Sequence, residues 1–242
     1  RALKALTTGA GNVAVGFEAL KTEDAGSGNT ALGYQALETL NNDNGYNVAI
    51  GHNSMQGATT AYFNICIGKD TGTAMAADVG TCVIIGHEAG DAINHVDASS
   101  TIAIGRSALG ALTEGQRNIA IGYQAGLGLV DSDDCTFIGY QAGEDVDSSG
   151  SAPMGCTYVG SYSGKYLDDG THNTALGFNA MVGTTGGSSC NLNVGIGKDA
   201  LKAITVGDNN TALGATAGDA LVDGTKNTLL GYGANAGSSG AE

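Results

Sequence analysis

One phrase, Asn-(Val/Thr/Ile)-Ala-(Ile/Leu/Val)-Gly, recurs with variations thirteen times along this chain, often followed by aromatic-Gln-Ala. Its glycines are Gly16, Gly33, Gly51, Gly68, Gly86, Gly105, Gly122, Gly139, Gly160, Gly177, Gly197, Gly214 and Gly231, spaced 17 to 21 residues apart. Such a period marks a chain that coils and stacks on itself, each turn burying its apolar side against its neighbours. A coil this short has room for two short strands and two turns. Coils then stack at one strand spacing, about 4.8 Å.

Positions are counted from each glycine as zero. Position −1 is aliphatic in all thirteen repeats, from Val15 and Leu32 to Leu230, and position −3 is β-branched in all thirteen, from Val13 and Thr30 to Thr228. Residues two apart share one face of a strand, and β-branched side chains suit a pleated surface. The pattern predicts a short strand ending at the glycine, with positions −3 and −1 inside the coil. Positions −4 and −2 then face outward. Position −4 is Asn in nine repeats, and Cys82, Thr101, Cys135 and Cys156 in the others. Position −2 is mostly Ala, with larger residues at Ile84, Phe137, Tyr158 and Leu229. An exposed apolar stripe of that length is rare on a monomer. The expected subunit interface is therefore Ala14, Ala31, Ala49, Ile84, Ala103, Ala120, Phe137, Tyr158, Ala175, Ala212 and Leu229. On this assignment Ala120→Arg disturbs association and spares the coil, whereas Ile121→Asp unfolds the coil.

After the glycine, position +1 is aromatic in several repeats, giving a column of Phe17, Tyr34, Tyr123, Tyr140, Phe178 and Tyr232. Stacked aromatics can hold sugar rings or grip a protein surface, so this column is the candidate receptor or glycan contact. A ladder filling a corner of the coil is the plainer alternative. Position +3 is always small, as at Ala19, Ser54 and Thr71, which fits two layers in close approach. The rest of each repeat is rich in Gly, Asn, Asp, Ser and Thr and reads as an outer loop. The longest intercoil segments, 145–154 and 183–190, are a second candidate for binding.

Residues 1–11 read as a lead-in, 12–236 as one β-roll solenoid, and 237–242 as a linker to a further region. The chain carries 41 glycines and one proline, without the strict triplet period of collagen. A formal charge of −14, with 10 Lys and Arg, argues against nucleic acid and against anionic membrane as partners. No stretch of the sequence reads as membrane-inserting. The five cysteines, Cys66, Cys82, Cys135, Cys156 and Cys190, have no zinc-site spacing and read as small packing residues.

Asn29 to Leu37, Asn118 to Gly126 and Asn173 to Met181 resemble the head repeats of trimeric autotransporter adhesins of the YadA type. They are still more similar to the Asn-Thr-Ala-Ile-Gly-Tyr-Gln-Ala arrays of phage tail-fibre proteins. The resemblance covers residues 12–237. It implies a left-handed parallel β-roll, about thirteen coils of 17–18 residues, packed as a homotrimer about a common axis. The repeats here are longer than the adhesin heads commonly use, which favours the fibre branch.

Catalytic chemistry is not expected. His52, His87, His95 and His172 lack a nucleophile partner at meaningful spacing, and Asp168-Asp169 implies no pocket. No catalytic, cofactor or metal residue is assigned. The expected function is a non-catalytic structural or adhesive fibre segment on a virion or cell surface, a rigid shaft or receptor-binding head. The alternative is the subunit of an extracellular or virion-associated filament built by stacking β-rolls. Ice binding ranks lower, because it needs an outward array of Thr and the Thr-bearing column is expected inside.

Overall fold

The computed structural model describes residues 1–41, 43, 45–75, 78–146, 155–186 and 188–235. The expected linker at 237–242, Pro153 and most of segment 145–154 lie outside the described residues. The chain divides into two compact units, Arg1–Asn118 and Ile119–Glu242.

The first unit holds β1 (Val13–Val15), β2 (Thr30–Leu32), β3 (Val48–Ile50), β4 (Ile65–Ile67), β5 (Val83–Ile85) and β6 (Ile102–Ile104), with one short 3-10 turn at Val96–Ala98. The second holds β7 (Ile119–Ile121), β8 (Thr136–Ile138), β9 (Thr157–Val159), β10 (Thr174–Leu176), β11 (Val194–Ile196), β12 (Thr211–Leu213) and β13 (Thr228–Leu230). Within each unit consecutive strands pair in parallel, and equal repeat positions face each other: Ala14 opposite Ala31, Phe137 opposite Tyr158, Ala212 opposite Leu229. The architecture is an all-β parallel solenoid, as the glycine period predicts, but with one strand per repeat where room for two short strands was expected. The lead-in is already part of the stack: Leu3 N–H donates to Ala19 O at 3.0 Å and Thr7 N–H to Asp24 O at 2.9 Å.

Each strand stops because the backbone turns left-handed on both sides of it. The reference glycine has a positive φ in every repeat where one is recorded, as at Gly33 (147°) and Gly122 (141°). A Cβ on Gly33 would stand 2.6 Å from the carbonyl carbon of Gly51 in the next coil, so both torsion and space demand glycine. Three further positions in the repeat, −5, +2 and +4, are also left-handed. Tyr46 (60°), Gln35 (53°) and Leu37 (51°) illustrate them. Such conformations are uncommon for bulky residues, and here the neighbouring coils hold them in place.

The expected face assignment is inverted. Ala31, Ala49, Ile84, Ala103, Ala120, Phe137, Tyr158, Ala175 and Ala212 are fully buried within their own coils. Ala14 and Leu229, in the first and last strands, are half-buried. The nine fully buried residues have no surface to offer a second chain. The outward columns are −3 and −1: Val13 is 52% exposed, Leu32 46% and Ile121 36%. The physical reason is thickness. A coil of 17 residues encloses too little space for two columns of branched side chains, so the small column goes inside.

What fills that interior is a pairing of sizes between positions −2 and +4. Alanine at −2 commonly accompanies a large residue at +4, as in Ala31 with Leu37, Ala49 with Met55 and Ala175 with Met181. At three of the four large −2 residues position +4 is glycine: Ile84 with Gly90, Phe137 with Gly143 and Tyr158 with Gly164. Ala212 and Gly218 are both small, and the space is taken by Leu201 and Leu229 from the adjoining coils, each with a methyl 2.8 Å from where a Gly218 Cβ would be.

The Asn column at −4 is internal too. Asn47 Nδ2 donates to Asn29 Oδ1 at 3.1 Å and to Ala61 O at 2.8 Å, and Asn64 N–H donates to Asn47 Oδ1 at 3.1 Å. The same ladder runs through Asn173, Asn193, Asn210 and Asn227 in the second unit. Most of these buried amides are thereby satisfied from coil to coil, Asn29 Nδ2 being an exception. Small residues at +3 close the opposite side, with Ser54 Oγ donating to Cys66 O and Ser163 Oγ to Ala175 O, both at 3.0 Å.

Candidate interaction surface

The outward strand face consists of the −3 and −1 columns, and neither contains a charged residue in any repeat. In the first unit it reads Val13-Val15, Thr30-Leu32, Val48-Ile50, Ile65-Ile67, Val83-Ile85 and Ile102-Ile104. In the second unit the −3 column carries more hydroxyls: Thr136, Thr157, Thr174, Thr211 and Thr228, beside Ile119 and Val194. Parallel pairing holds these side chains in register. Each unit therefore presents a continuous, uncharged and largely aliphatic strip, more extensive than the scattered apolar residues of an ordinary monomer surface.

The aromatic candidates at +1 are exposed: Phe17 56%, Tyr34 44%, Tyr140 45%, Phe178 47% and Tyr232 87%, with Tyr123 half-buried. Four of the six, Phe17, Tyr34, Tyr123 and Tyr140, turn a ring face on a neighbouring ring. Phe17 stacks on Tyr34 at 5.4 Å, Tyr34 on His52 at 5.0 Å and Tyr123 on Tyr140 at 5.2 Å, all within 13° of parallel. Phe178 meets Tyr162 edge-on at 6.1 Å. A ladder of this kind offers ring edges and hydroxyls outward. It offers few free faces on which a sugar ring can stack.

A second aromatic group was not singled out from the sequence. Tyr46 and Phe63, at position −5, stack at 5.4 Å, and Tyr62 stands edge-on to Phe63 at 5.7 Å. Tyr46 is 59% exposed and Phe63 53%. The signal available was their shared place in the repeat, five before the glycine, which aligns them in register.

A polar ladder also runs along the surface outside the aliphatic strip. Gln35 Nε2 donates to Glu18 Oε2 at 3.1 Å and Asn53 Nδ2 to Asp70 Oδ1 at 3.0 Å. Lys21 lies 3.0 Å from both Glu18 and Glu38. Its hydrogen bond to Glu18 holds that carboxyl below the usual carboxylate range, and Lys69 does the same for Asp70. The Gln35–Glu18, Asn53–Asp70 and Lys21–Glu38 contacts run along the stacking direction and tie coil to coil.

All five cysteines are buried. Burial pushes the Cys135 and Cys190 thiols up to about 12 and Cys82 to about 11. They are neutral packing groups, not nucleophiles. His52, His87 and His95 lie beside carboxylates, at 3.8, 3.3 and 3.2 Å from Asp70, Glu88 and Asp97. Among the described residues no three His, Cys, Asp or Glu side chains gather as metal ligands, and no helix is long and apolar enough to cross a membrane. Comparison with known families, curated proteins and solved structures returns no match to this chain.

Proposed function

We propose that this chain is a non-catalytic structural segment of a homotrimeric fibre displayed on a virion or cell surface, its copies joined through the −3/−1 face. The supporting observation is the uncharged aliphatic strip, exposed on a chain whose interior is already filled. Burial of apolar surface between copies is the main force such a face can supply, at about 25 cal/mol per Å². A second copy is the fitting occupant, because the strip repeats one composition along each unit and carries no charge to select a different partner. Three copies, rather than two, is the expectation drawn from the resemblance to trimeric adhesin heads and tail fibres. Within such a fibre the edges and hydroxyls of Phe17, Tyr34, Tyr123, Tyr140, Phe178 and Tyr232 are the proposed contacts for a host receptor or glycan. Light scattering tests the assembly: the reading expects three times 23.9 kDa, and a stable species of 23.9 kDa contradicts it.

One observation favours a second reading. The Thr column of the second unit faces outward, with Thr136, Thr157, Thr174, Thr211 and Thr228 in register beside an aliphatic column. A flat array of methyls and hydroxyls can order water, so this strip would bind ice. Thermal hysteresis separates the readings, since only an ice binder whose strip is uncovered produces it.

A further inference from the structure

Two coils of the second unit bring an amine, a primary amide and a carboxylate into one hydrogen-bonded ring. Gln141 and Glu144 follow β8, and Lys165 follows β9. Lys165 Nζ donates to the Gln141 amide oxygen Oε1 at 3.1 Å and lies 2.9 Å from Glu144 Oε2. Gln141 Nε2 donates to Glu144 Oε1 and, at 2.9 Å, to Gln124 Oε1. One carboxylate thus touches both the amine that can attack and the nitrogen that can leave. The rings of Tyr162 and Tyr166 flank the amine, with centroids 5.2 and 5.0 Å from Nζ. Only 15% of the Lys165 side chain and 18% of the Glu144 side chain is exposed. The backbone on either side is pinned by Gln141 N–H to Tyr123 O at 2.9 Å and Asp145 N–H to Lys165 O at 2.8 Å.

We propose that Lys165 and Gln141 are joined by an intramolecular isopeptide bond, formed by the chain itself. The Lys165 nitrogen gives its lone pair to Gln141 Cδ, forming a new C–N bond. The Cδ–Nε2 bond breaks, and Nε2 leaves as ammonia. Glu144 accepts a proton from the attacking nitrogen and delivers it to the departing one, so an ammonium and an amide become a substituted amide and an ammonium ion. No oxidant or cofactor enters. The fixed geometry provides the effective concentration that a free lysine and glutamine lack, and the bridging carboxylate provides general acid–base help.

The site selects its own residues. Lys21 occupies the same repeat position as Lys165, but its partners are the carboxylates of Glu18 and Glu38, neither of which carries an amide leaving group. Burial lowers the Lys165 pKa, while the Glu144 and Tyr166 contacts raise it, and the net direction is upward. The neutral amine is therefore scarce at neutral pH, so bond formation is slow and speeds up as pH rises. The product staples adjacent coils across a span of 24 residues, which includes the longest segment between two repeats.

The test is the intact mass of the full chain after alkaline incubation. The proposal expects a loss of one ammonia, about 17 Da, and a branched peptide linking Gln141 to Lys165 after digestion. Lys165→Arg and Glu144→Gln, each with a native circular dichroism spectrum, are expected to keep the mass of their sequences. An unchanged mass of the parent chain, or a gain of about 1 Da from simple deamidation of Gln141, overturns it. So does an ammonia loss that persists in Lys165→Arg. These readouts do not depend on how many chains associate, so failure here leaves the fibre reading intact.

Discussion

The ring of Phe137 lies over the backbone of Gly143: a Cβ at 143 would stand 2.8 Å from Phe137 Cδ1, at a residue whose φ is +57°. The glycine six residues after a bulky interior side chain is the space that side chain occupies. Gly143→Ala is expected to destabilise the second unit by about 2 kcal/mol or more, combining left-handed strain with overpacking. Adding Phe137→Leu to that variant is expected to recover part of the loss. Urea unfolding of the two singles and the double checks the coupling, and strict additivity would show that the two residues do not share this space.

Ala120 and Ile121 are neighbours with opposite duties, one fully buried and the other 36% exposed. Ala120→Arg is expected to unfold its coil, because a cation enters an interior with no partner for it. Ile121→Asp is expected to leave the coil's circular dichroism unchanged and to weaken chain association. Circular dichroism and sedimentation, run on both variants, check the pair.

The Asn ladder carries stability coil by coil. Asn193 Nδ2 donates to Gly207 O at 2.8 Å, and its Oδ1 accepts from Asn210 N–H at 2.8 Å and Asn210 Nδ2 at 3.0 Å. Asn193→Ala strands these buried groups, at an expected cost of about 2–4 kcal/mol. Chemical denaturation measures it. Asn12→Ala, at a half-buried residue just before β1, is expected to cost less.

The thiols predict a pH dependence. A thiol raised from 9.0 to about 12 in the folded chain, as at Cys135 and Cys190, keeps its proton while the unfolded chain loses one. Its contribution to stability is whole below pH 9 and falls as pH rises towards 12, at about 1.4 kcal/mol per unit for each group. Cys135→Ala with Cys190→Ala is expected to flatten that decline in a pH-resolved unfolding series. The native thiols are expected to resist thiol reagents until the chain unfolds.

Much of the fold was legible in the sequence because one residue type marks each turn. The reference glycines locate every strand end, and the two β-branched and aliphatic columns locate every strand. Alternation divides residues such as Ala120 and Ile121 into two faces without saying which face is inside. Hydrophobicity alone puts the isoleucine inside, and the narrowness of the coil reverses that. The left-handed positions at Leu37, Gln35 and Tyr46 were not legible, because those residue types do not advertise positive φ and only the stack imposes it. The aromatic column was legible as a column. That Phe17, Tyr34 and His52 spend their ring faces on each other depends on the coil spacing.

The most direct test of the outward face is the reactivity of a single thiol placed on it. Leu213 is 46% exposed on the chain by itself. In Leu213→Cys at concentrations where the chain is assembled, maleimide is expected to label this thiol no faster than the five buried native ones, and rapidly once the assembly is diluted apart. Labelling of the undiluted, native protein at the rate of a free thiol would show that the aliphatic strip meets only solvent, and the account of how these chains associate would fail.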